Sequence, residues 1–222
     1  MIDILYTDNK VPLLSELSSL VNNLLGDFEK DRLSRYHRWN DRQAYLLGKL
    51  LTAILLKKNG YNTKLLTSLK YTAFNRPFIE GIKADFNISH SGEYVICAFS
   101  TTQVVGADIE RIQTIDLQDF SYILNEDDKN LMDKSENKYA SFFKIWSAKE
   151  AVLKAHGCGL VDYLDGLEIK GERGFFDEKQ YYLKELAIDT LYSGCVASTT
   201  PIESIHLEKV YLNNYWDLIN GF

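Results

Sequence analysis

The sequence has little of several features that mark large classes of proteins. It contains only three cysteines and three prolines in 222 residues, and its net charge of −6 leaves no excess of basic groups. Three cysteines without metal-ligand or redox spacing predict idle thiols in a reducing compartment rather than a disulfide framework. A net negative chain lacks the broad basic field with which proteins attract nucleic acid. Any anionic ligand must therefore be held by a local basic patch.

Long apolar runs are also lacking. No uncharged stretch approaches the about 18 residues that a membrane span requires. The start, Met1-Ile2-Asp3-Ile4, has no basic segment followed by an apolar run, so we expect no signal peptide and a cytoplasmic location. Hydrophobic residues make up 45% of the chain, which is enough for a proper core. The length allows one large domain or two of about 100 residues each.

Helices followed by strands are predicted over residues 13–109. Leucines at helical spacing predict a helix over residues 13–25. A stronger helix follows, for which Asn40 is the expected N-cap, Gln43 completes a capping box and Gly60 ends the helix. Period-two runs then predict three strands, at residues 86–89, 94–99 and 104–109. The short turns between them predict an antiparallel meander.

Residues 103–222 repeat this order of elements. A polar stretch over 113–138 leads to a predicted helix over 139–156, closed by Gly157. Further strands are predicted at residues 167–170, 181–186, 192–198 and 205–211. Helices followed by strands, twice over, predict an α+β fold made of two halves of similar plan, residues 1–102 and 103–222.

Asp108-Ile109-Glu110 is a candidate metal site. On a strand, the two carboxylates would project from the same face about 6.5–7 Å apart, while Ile109 points into the core. Two such carboxylates repel each other unless a cation lies between them, and oxygen ligands suit Mg²⁺ or Mn²⁺. The alternative is a solvated strand end with two ordinary surface acids.

The predicted second-half helix carries a second candidate group. Trp146, Glu150 and Lys154 recur every four residues and therefore share one face. The glycines at 157 and 159 would let the backbone approach a bound ligand. A Glu–Lys pair at this spacing is equally typical of a surface salt bridge.

The segment Asn87–Gly92 is a candidate phosphate site. Imidazole, hydroxyl and backbone N–H groups from Ser89, His90 and Ser91 could converge on one anion. Upstream, Arg76 and an Arg-rich stretch that includes Lys30 and Arg32 supply local positive charge. A hydroxyl-capped turn and a solvated helix face are the structural alternatives.

Taken in order, these motifs resemble the 4′-phosphopantetheinyl transferase superfamily. The resemblance is carried by Arg76-Pro77, Phe86–Gly92, Gly106–Glu110, Trp146–Lys154 and Gly157-x-Gly159-Leu160. The length, the N-terminal half and the segment from Arg35 to Gly48 are similar to the Sfp-type branch, whose members activate peptide and polyketide synthases. The similarity runs from about residue 28 to residue 160.

The resemblance implies a pseudo-dimer of two α+β subdomains, each with a helix on a mainly antiparallel sheet, and coenzyme A in the cleft between them. It implies that Asp108, Glu110 and Glu150 hold Mg²⁺, with Mn²⁺ as an alternative. A carrier-protein serine would attack the β-phosphate and release adenosine 3′,5′-bisphosphate. Glu150 would accept the serine proton, directly or through water, and Lys154 would add a fixed positive charge.

By the same resemblance, Ser89 and His90 would help to hold the nucleotide phosphates, assisted by Arg76 and a basic N-terminal residue. The sequence departs from the family pattern here, because Glu29 stands where the branch often carries a lysine. Lys30 and Arg32 are the nearest bases and are the expected substitutes. Asp128 lies in the region of a further family glutamate, and its role is open.

Partners follow from the same comparison. We expect coenzyme A and an acyl or peptidyl carrier protein as substrates, docking near the segment from Tyr122 to Leu131, and a monomer without nucleic-acid or membrane binding. Another Mg²⁺-dependent phosphotransferase is the main rival, although the sequence has no Walker-type loop or kinase motif set. A catalytically dead coenzyme A-binding module is the rival from a different class.

Overall fold

The computed structural model of the protein describes residues 1–13, 15–159 and 166–212. Its helices are α1 (Ser15–Asn23), α2 (Asp27–Ser34), α3 (Trp39–Lys58), α4 (Glu126–Asp133) and α5 (Lys138–His156), with 3₁₀ helices at Thr63–Ser68 and Leu117–Ile123. The strands are β1 (Ile2–Asp8), β2 (Lys70–Tyr71), β3 (Pro77–Phe78), β4 (Asp85–Ser91), β5 (Tyr94–Ser100), β6 (Val105–Arg111), β7 (Glu168–Lys170), β8 (Arg173–Phe176), β9 (Lys179–Glu185), β10 (Tyr192–Ser198) and β11 (Ile205–Lys209).

Two sheets, each covered by one long helix, form the body of the protein. The first has the strand order β11-β1-β5-β4 and the second β6-β10-β9-β8-β7. Helix α3 packs on the first sheet and α5 on the second. Alternate residues of β1, β5, β6 and β10 form a third apolar cluster, in which side chains of the two sheets meet. The predicted α+β plan of two similar halves is therefore confirmed.

The leucine pattern predicted α3 correctly, but its N-terminal cap is different. The helix begins at Trp39 with Arg38 as N-cap, so the prediction that Asn40 and Gln43 form a capping box is wrong. The Gln43 amide instead bonds to Asn9 and to the carbonyl of Val11. The apolar stripe of α3 is wide because α1 also packs against this helix, through residues such as Leu17.

The predicted meander is also wrong in one respect. Strands β4 and β5 pair as an antiparallel hairpin, but β6 leaves that sheet and pairs antiparallel with β10 in the second one. The chain thus crosses from one half to the other after Ser100. A second crossing returns at the end, because β11 pairs with β1 in the only parallel pairing among the described strands.

Polar side chains of β4 form hydrogen bonds with the edge of β6 that faces them, in place of direct backbone pairing between the two strands. Asp85, Asn87, Ser89 and Ser91 lie on one face of β4 and accept hydrogen bonds from the backbone N–H groups of β6 at residues 105, 107, 109 and 111. The four bonds span 2.8–3.4 Å and keep a constant offset of 20 residues. This polar ladder joins the two halves along the length of both strands.

Several elements were not predicted. Strand β1, helix α2 and helix α4 lie in stretches that the sequence analysis left without strand or helix assignments, and α4 carries a capping box between Asn125 and Asp128. Leu160, part of the motif that ends the resemblance, lies outside the described residues, as do residues 213–222 of the predicted second half. The boundary between residues 102 and 103 stays a prediction, although it falls in the turn between β5 and β6.

Helix α5 lies unusually close to β6 at Gly106. A Cβ added there would lie 2.1 Å from the carbonyl oxygen of Ala151 and 2.3 Å from the backbone nitrogen of Ala155. Only glycine lets the helix backbone approach the strand so closely, and this approach sets the height of Glu150 and Lys154 above the strand.

We expect Gly106→Ala to lower the free energy of unfolding by about 1–3 kcal/mol or more, because backbone atoms must move to accept the methyl group. Urea denaturation measures this. Gly48→Ala in α3 is the comparison variant: its Cβ would lie 2.7 Å from Cγ2 of Ile88, a side-chain atom rather than backbone, and alanine gains helix propensity, so its loss should be smaller. Equal losses in the two variants would contradict the argument from close approach.

Candidate active site

The candidate site lies between β6 and α5, at the polar ladder. Residues 105, 107 and 109 of β6 point into the cluster between the sheets, so residues 106, 108 and 110 face α5. Asp108 and Glu110 therefore share a face, as predicted. Helix α5 presents Trp146, Glu150 and Lys154 towards them.

Asp108 is the most buried of these acids, with 2% of its surface exposed. Its Oδ1 accepts hydrogen bonds from Ser89 Oγ at 2.8 Å and from Lys154 Nζ at 2.5 Å. Lys154 also donates to Ser89 Oγ, at 3.1 Å. The other oxygen, Oδ2, is buried without a hydrogen-bond partner.

Glu110 is held by two donors, one from each half of the protein. Ser91 Oγ donates to its Oε2 at 2.8 Å, and Trp146 Nε1 donates to its Oε1 at 3.3 Å. Burial, and next the charge of Asp108, raise the pKa of Glu110, while these two donors act in the opposite direction. The carboxylate is thereby fixed in orientation.

Glu150 is buried and poorly compensated. Its Oε1 has no hydrogen-bond partner, and its side chain feels the charges of Lys154, Asp108 and Glu110. Desolvation by burial is the largest effect and raises the pKa of Glu150 to about 7. A carboxyl with this pKa can exchange a proton near neutral pH.

The donor chemistry of this cluster fits a divalent cation. Three carboxylates lie within electrostatic reach of one another, and two of them carry buried oxygens without partners. Among the residues that the structure describes, however, no such set is gathered closely enough to hold a metal ion as it stands. The ammonium of Lys154 already bonds to Asp108, so cation binding must rearrange these side chains.

A cleft of about 190 Å³ opens beside this cluster. Its walls come from the turn before β3, from β4 and from the end of α5; they include Arg76, Asn87, Ile88, Lys154, Gly157 and Gly159. A second cleft of about 220 Å³ is lined by Phe28, Asp31, Arg32, Arg35 and Asn75. Because Asn75 lines both clefts, the two adjoin.

His90 follows Ser89 on β4 and faces outwards. Although its surface is exposed, neighbouring protein atoms desolvate the imidazole and lower its pKa, and the charge of Lys154 acts in the same direction. His90 is therefore mostly neutral at pH 7 and can act as a hydrogen-bond donor or acceptor.

Comparison with known proteins agrees with this geometry. The family model described as 4′-phosphopantetheinyl transferase superfamily matches residues 104–190, and the model described as 4′-phosphopantetheinyl transferase, N-terminal, matches residues 11–102. The chain is 36% identical over 168 residues to the 4′-phosphopantetheinyl transferase gsp of Aneurinibacillus migulanus, covering 72% of this chain and 68% of the relative. The chain belongs to the 4′-phosphopantetheinyl transferase superfamily.

Other relatives support the same membership. The 4′-phosphopantetheinyl transferase Sfp of Bacillus subtilis is 28% identical over 162 residues, with 72% of each chain covered. The 4′-phosphopantetheinyl transferase HetI of Nostoc is 31% identical over 166 residues, with 70% of this chain and 68% of the relative covered. These matches confirm the predicted Sfp-type branch and indicate phosphopantetheinyl transfer as the general activity.

The departure from the family pattern at Glu29 has a structural explanation in this superfamily member. Glu29 is 2% exposed and forms an ion pair with buried Lys49 at 3.0 Å. The hydroxyls of Tyr45 and Tyr71 both donate to its carboxylate. Burial lowers the pKa of Lys49, which Glu29 partly offsets. Glu29 thus forms buried contacts inside the protein and does not line either cleft.

Of the two candidate N-terminal bases, Arg32 lies at the cleft. Its guanidinium carbon lies 5.8 Å from the ring centroids of both Tyr45 and Tyr71, and the residue lines the second cleft. Lys30 is exposed on α2 and does not line either cleft. Arg32 and Lys30, which were equivalent candidates in the sequence, therefore differ in the structure, because only Arg32 lines a cleft.

Asp128 does not belong to the carboxylate cluster but contacts the helix that carries Glu150. Its carboxylate caps α4 and bonds to the ammonium of Lys149 at 2.5 Å, and Lys149 also donates to the carbonyl of Ile123. Lys149 precedes Glu150 on α5. Asp128 thus ties α4 and the preceding 3₁₀ helix to the helix that carries Glu150.

Sequence reasoning missed Asp85, and it named Asn87 and Ser91 within a candidate phosphate segment without expecting their hydrogen bonds to β6. The signal was present, because residues 85, 87, 89 and 91 are polar at strand spacing and share one face. Arg76 was assigned to phosphate, but in the structure it forms two hydrogen bonds with Asp85.

The raised pKa of Glu150 predicts a pH effect on stability in the absence of metal. Its pKa rises from 4.5 to about 7 on folding. The folded protein therefore holds this proton more tightly than the unfolded chain, and the stabilisation is complete below pH 4.5 and lost as the pH rises through 7. Glu150→Gln removes the titration.

We compare the free energy of unfolding of Glu150→Gln with that of the unmodified protein. As the pH rises from about 5 to about 8, we expect this difference to shift in favour of the variant by about 1–3 kcal/mol. Denaturation in the presence of a chelator at both pH values measures the difference. Exposed Glu172 provides the control variant, Glu172→Gln, which should show no such gain. A stability difference independent of pH would contradict the assignment.

Proposed function

We propose that this protein transfers 4′-phosphopantetheine from coenzyme A to a serine hydroxyl of an acyl or peptidyl carrier protein, with Mg²⁺ as cofactor and Mn²⁺ as a substitute. The observation that carries this proposal is the pairing of buried, partnerless carboxylate oxygens on Asp108 and Glu150 with the adjacent cleft that Lys154 lines. A diphosphate bridged by a divalent cation complements both features.

Asp108, Glu110 and Glu150 are the residues that would hold the cation. A bound Mg²⁺ would neutralise the charge of the diphosphate and of the leaving phosphate. Asp108 and Glu150 each offer a buried oxygen that lacks a partner, and Glu110 is held in place by Ser91 and Trp146. Lys154 would exchange its bond to Asp108 for contacts with the diphosphate.

The chain's own groups account for the remaining chemistry. The serine Oγ forms a bond to the β-phosphorus of coenzyme A, and the bond from that phosphorus to the bridging oxygen breaks. Adenosine 3′,5′-bisphosphate leaves with the electron pair. Glu150 takes the serine proton, directly or through water. Lys154 stabilises the charge that develops on the leaving group.

Coenzyme A would lie along the two adjoining clefts. Ser89 and His90 follow the β4 wall of the first cleft, which Asn87 and Ile88 form, and Ser89 lies next to Lys154. We assign both residues to the nucleotide phosphates, for which the Ser89 hydroxyl would exchange its bond to Asp108. Arg32 is the base that we assign to a terminal phosphate, because it lines the second cleft and Lys30 does not. Phe28 is exposed beside it and can contact an adenine ring.

The carrier protein would dock beside α4. Tyr122 and Leu131 are 63% and 58% exposed and offer apolar surface to a partner, and the segment between them is tied to α5 through Lys149. We further propose a monomer acting in the cytoplasm. None of the described helices is long and apolar enough to cross a membrane.

The reaction is tested by incubating the protein with coenzyme A, Mg²⁺ and an apo carrier protein and measuring the intact mass of the carrier. We expect a gain equal to one phosphopantetheine group. Glu150→Gln should reduce the rate by at least about 1,000-fold while the fold is retained, because it removes both the base and a cation ligand. Glu172→Gln is again the control and should transfer normally.

No mass gain across several carriers would sink the transferase proposal. Binding of coenzyme A without transfer would instead identify a binding module. A Glu150→Gln variant with near-normal rates would refute its assigned role.

The bond between Lys154 and Asp108 makes a further prediction about cation binding. Because the ammonium competes with the cation for Asp108, Lys154→Met should tighten Mn²⁺ binding by about tenfold or more in the absence of coenzyme A, since removing a nearby like charge is worth more than about 1 kcal/mol. The same variant should transfer more slowly. Titration followed by Mn²⁺ electron paramagnetic resonance measures the affinity.

Asp108→Asn is the opposing variant and should weaken Mn²⁺ binding. Weaker binding in Lys154→Met would show that the ammonium supports the cation site instead of competing with it.

A further inference from the structure

We propose that Arg76 is a positioning residue rather than a phosphate ligand: with Asp85, it holds the last turn of α5, and hence Lys154, against β4 and β6. The activity readout used below depends on the proposed transferase function, but the contacts do not. Neither Asp85 nor this role of Arg76 follows from the resemblance to the superfamily.

Most of the hydrogen-bonding capacity of Arg76 is already used within the protein. Its Nε donates to the carbonyl of Lys154 at 2.9 Å, and its Nη1 donates to Asp85 Oδ1 at 3.0 Å. Its Nη2 donates to Asp85 Oδ2 at 2.7 Å and to the carbonyl of Val105 at 2.8 Å. A guanidinium has five N–H donors, so these four bonds leave one for any ligand.

The charge of Arg76 is also compensated. Asp85 meets the guanidinium with both oxygens, and the side chains are only 14% and 18% exposed. Asp85 accepts a further bond from the backbone N–H of Val105 at 2.8 Å, so it is fixed in turn by β6. A bidentate pair in such a partly dry environment is a strong, directional contact. An incoming phosphate would meet a neutral pair with a carboxylate behind it.

The carbonyl that Arg76 holds belongs to the residue whose ammonium reaches Asp108. Lys154 lies in the last turn of α5, where carbonyl groups lack partners within the helix. A cationic donor at this end also complements the helix dipole. Arg76 thus satisfies a helix end and fixes the backbone of Lys154 to the first residue of β6. The pair sets the height of the ammonium over the cleft.

Two conservative variants distinguish positioning from phosphate binding. Arg76→Lys keeps the charge that a phosphate needs but cannot reproduce four bonds from a planar fork. Asp85→Asn removes the compensating charge and frees the guanidinium. A phosphate-binding Arg76 would then bind coenzyme A more tightly, whereas a positioning Arg76 would lose its support and the reaction would slow.

We expect both variants to lower kcat for carrier modification by about 10- to 100-fold, the loss typical of a misplaced group at a reaction centre. The dissociation constant of coenzyme A, measured by calorimetry, should change far less and should not tighten. The double variant Arg76→Lys/Asp85→Asn should be no slower than either single variant, because both remove one shared contact. Circular dichroism confirms the fold at the assay temperature.

Glu80→Gln is the matched control, since it removes an exposed ion pair with Lys70 away from the clefts and should leave kcat unchanged. Normal kcat in Arg76→Lys, or tighter coenzyme A binding in Asp85→Asn, would overturn the proposal. So would a failure of Asp85→Asn to fold at any temperature, because the pair would then support the whole fold. An unmodified protein without transfer activity would refute the proposed function and not this contact.

Discussion

The structure depends above all on the way β6 is attached to β4. A strand that leaves its sheet exposes backbone N–H groups that must be satisfied, and here side chains at every second position of β4 accept them. Side-chain acceptors keep the strands farther apart than direct backbone pairing would, and this spacing makes room for a site between the halves. Ser89 and Ser91 serve twice, since each also donates to a carboxylate of β6. The residues of the polar ladder that join the two halves therefore also hold the carboxylates of the site.

The negative charge of the site is only partly compensated by neighbouring groups. Burying three carboxylates near one another is costly, and Lys154 compensates only part of the charge. Glu29 shows the opposite arrangement: one ammonium and two phenol hydroxyls satisfy it fully, and it has no role in the clefts. The buried acids of this protein therefore differ in how far the surrounding groups balance their charge, and only those whose charge is not balanced suit a ligand.

Local signals in the sequence were enough to predict the two long helices, most strands and the facing of Asp108, Glu110 and Glu150. These follow from residue periodicity, which depends on neighbours a few positions away. The pairing of β6 with a second sheet could not be predicted in this way, because the choice of a strand's partner depends on residues far away in the sequence. Glu29 looked like a lost phosphate contact, since nothing in its own segment indicates that Lys49 lies beneath it. The contacts of Arg76 could not be predicted for the same reason: Asp85 lies nine residues further on, across a turn.

The return of β11 to β1 also bears on how the protein is made. The first strand of the chain lies inside a sheet whose outer strand is formed by residues 205–209. A nascent chain that has emerged only as far as β5 can form the hairpin and cover it with α3, but it presents an open edge along β1. The sheet that contains β1 is completed only after residues 205–209 have left the ribosome, so we expect the two halves to fold together, with β11 added last.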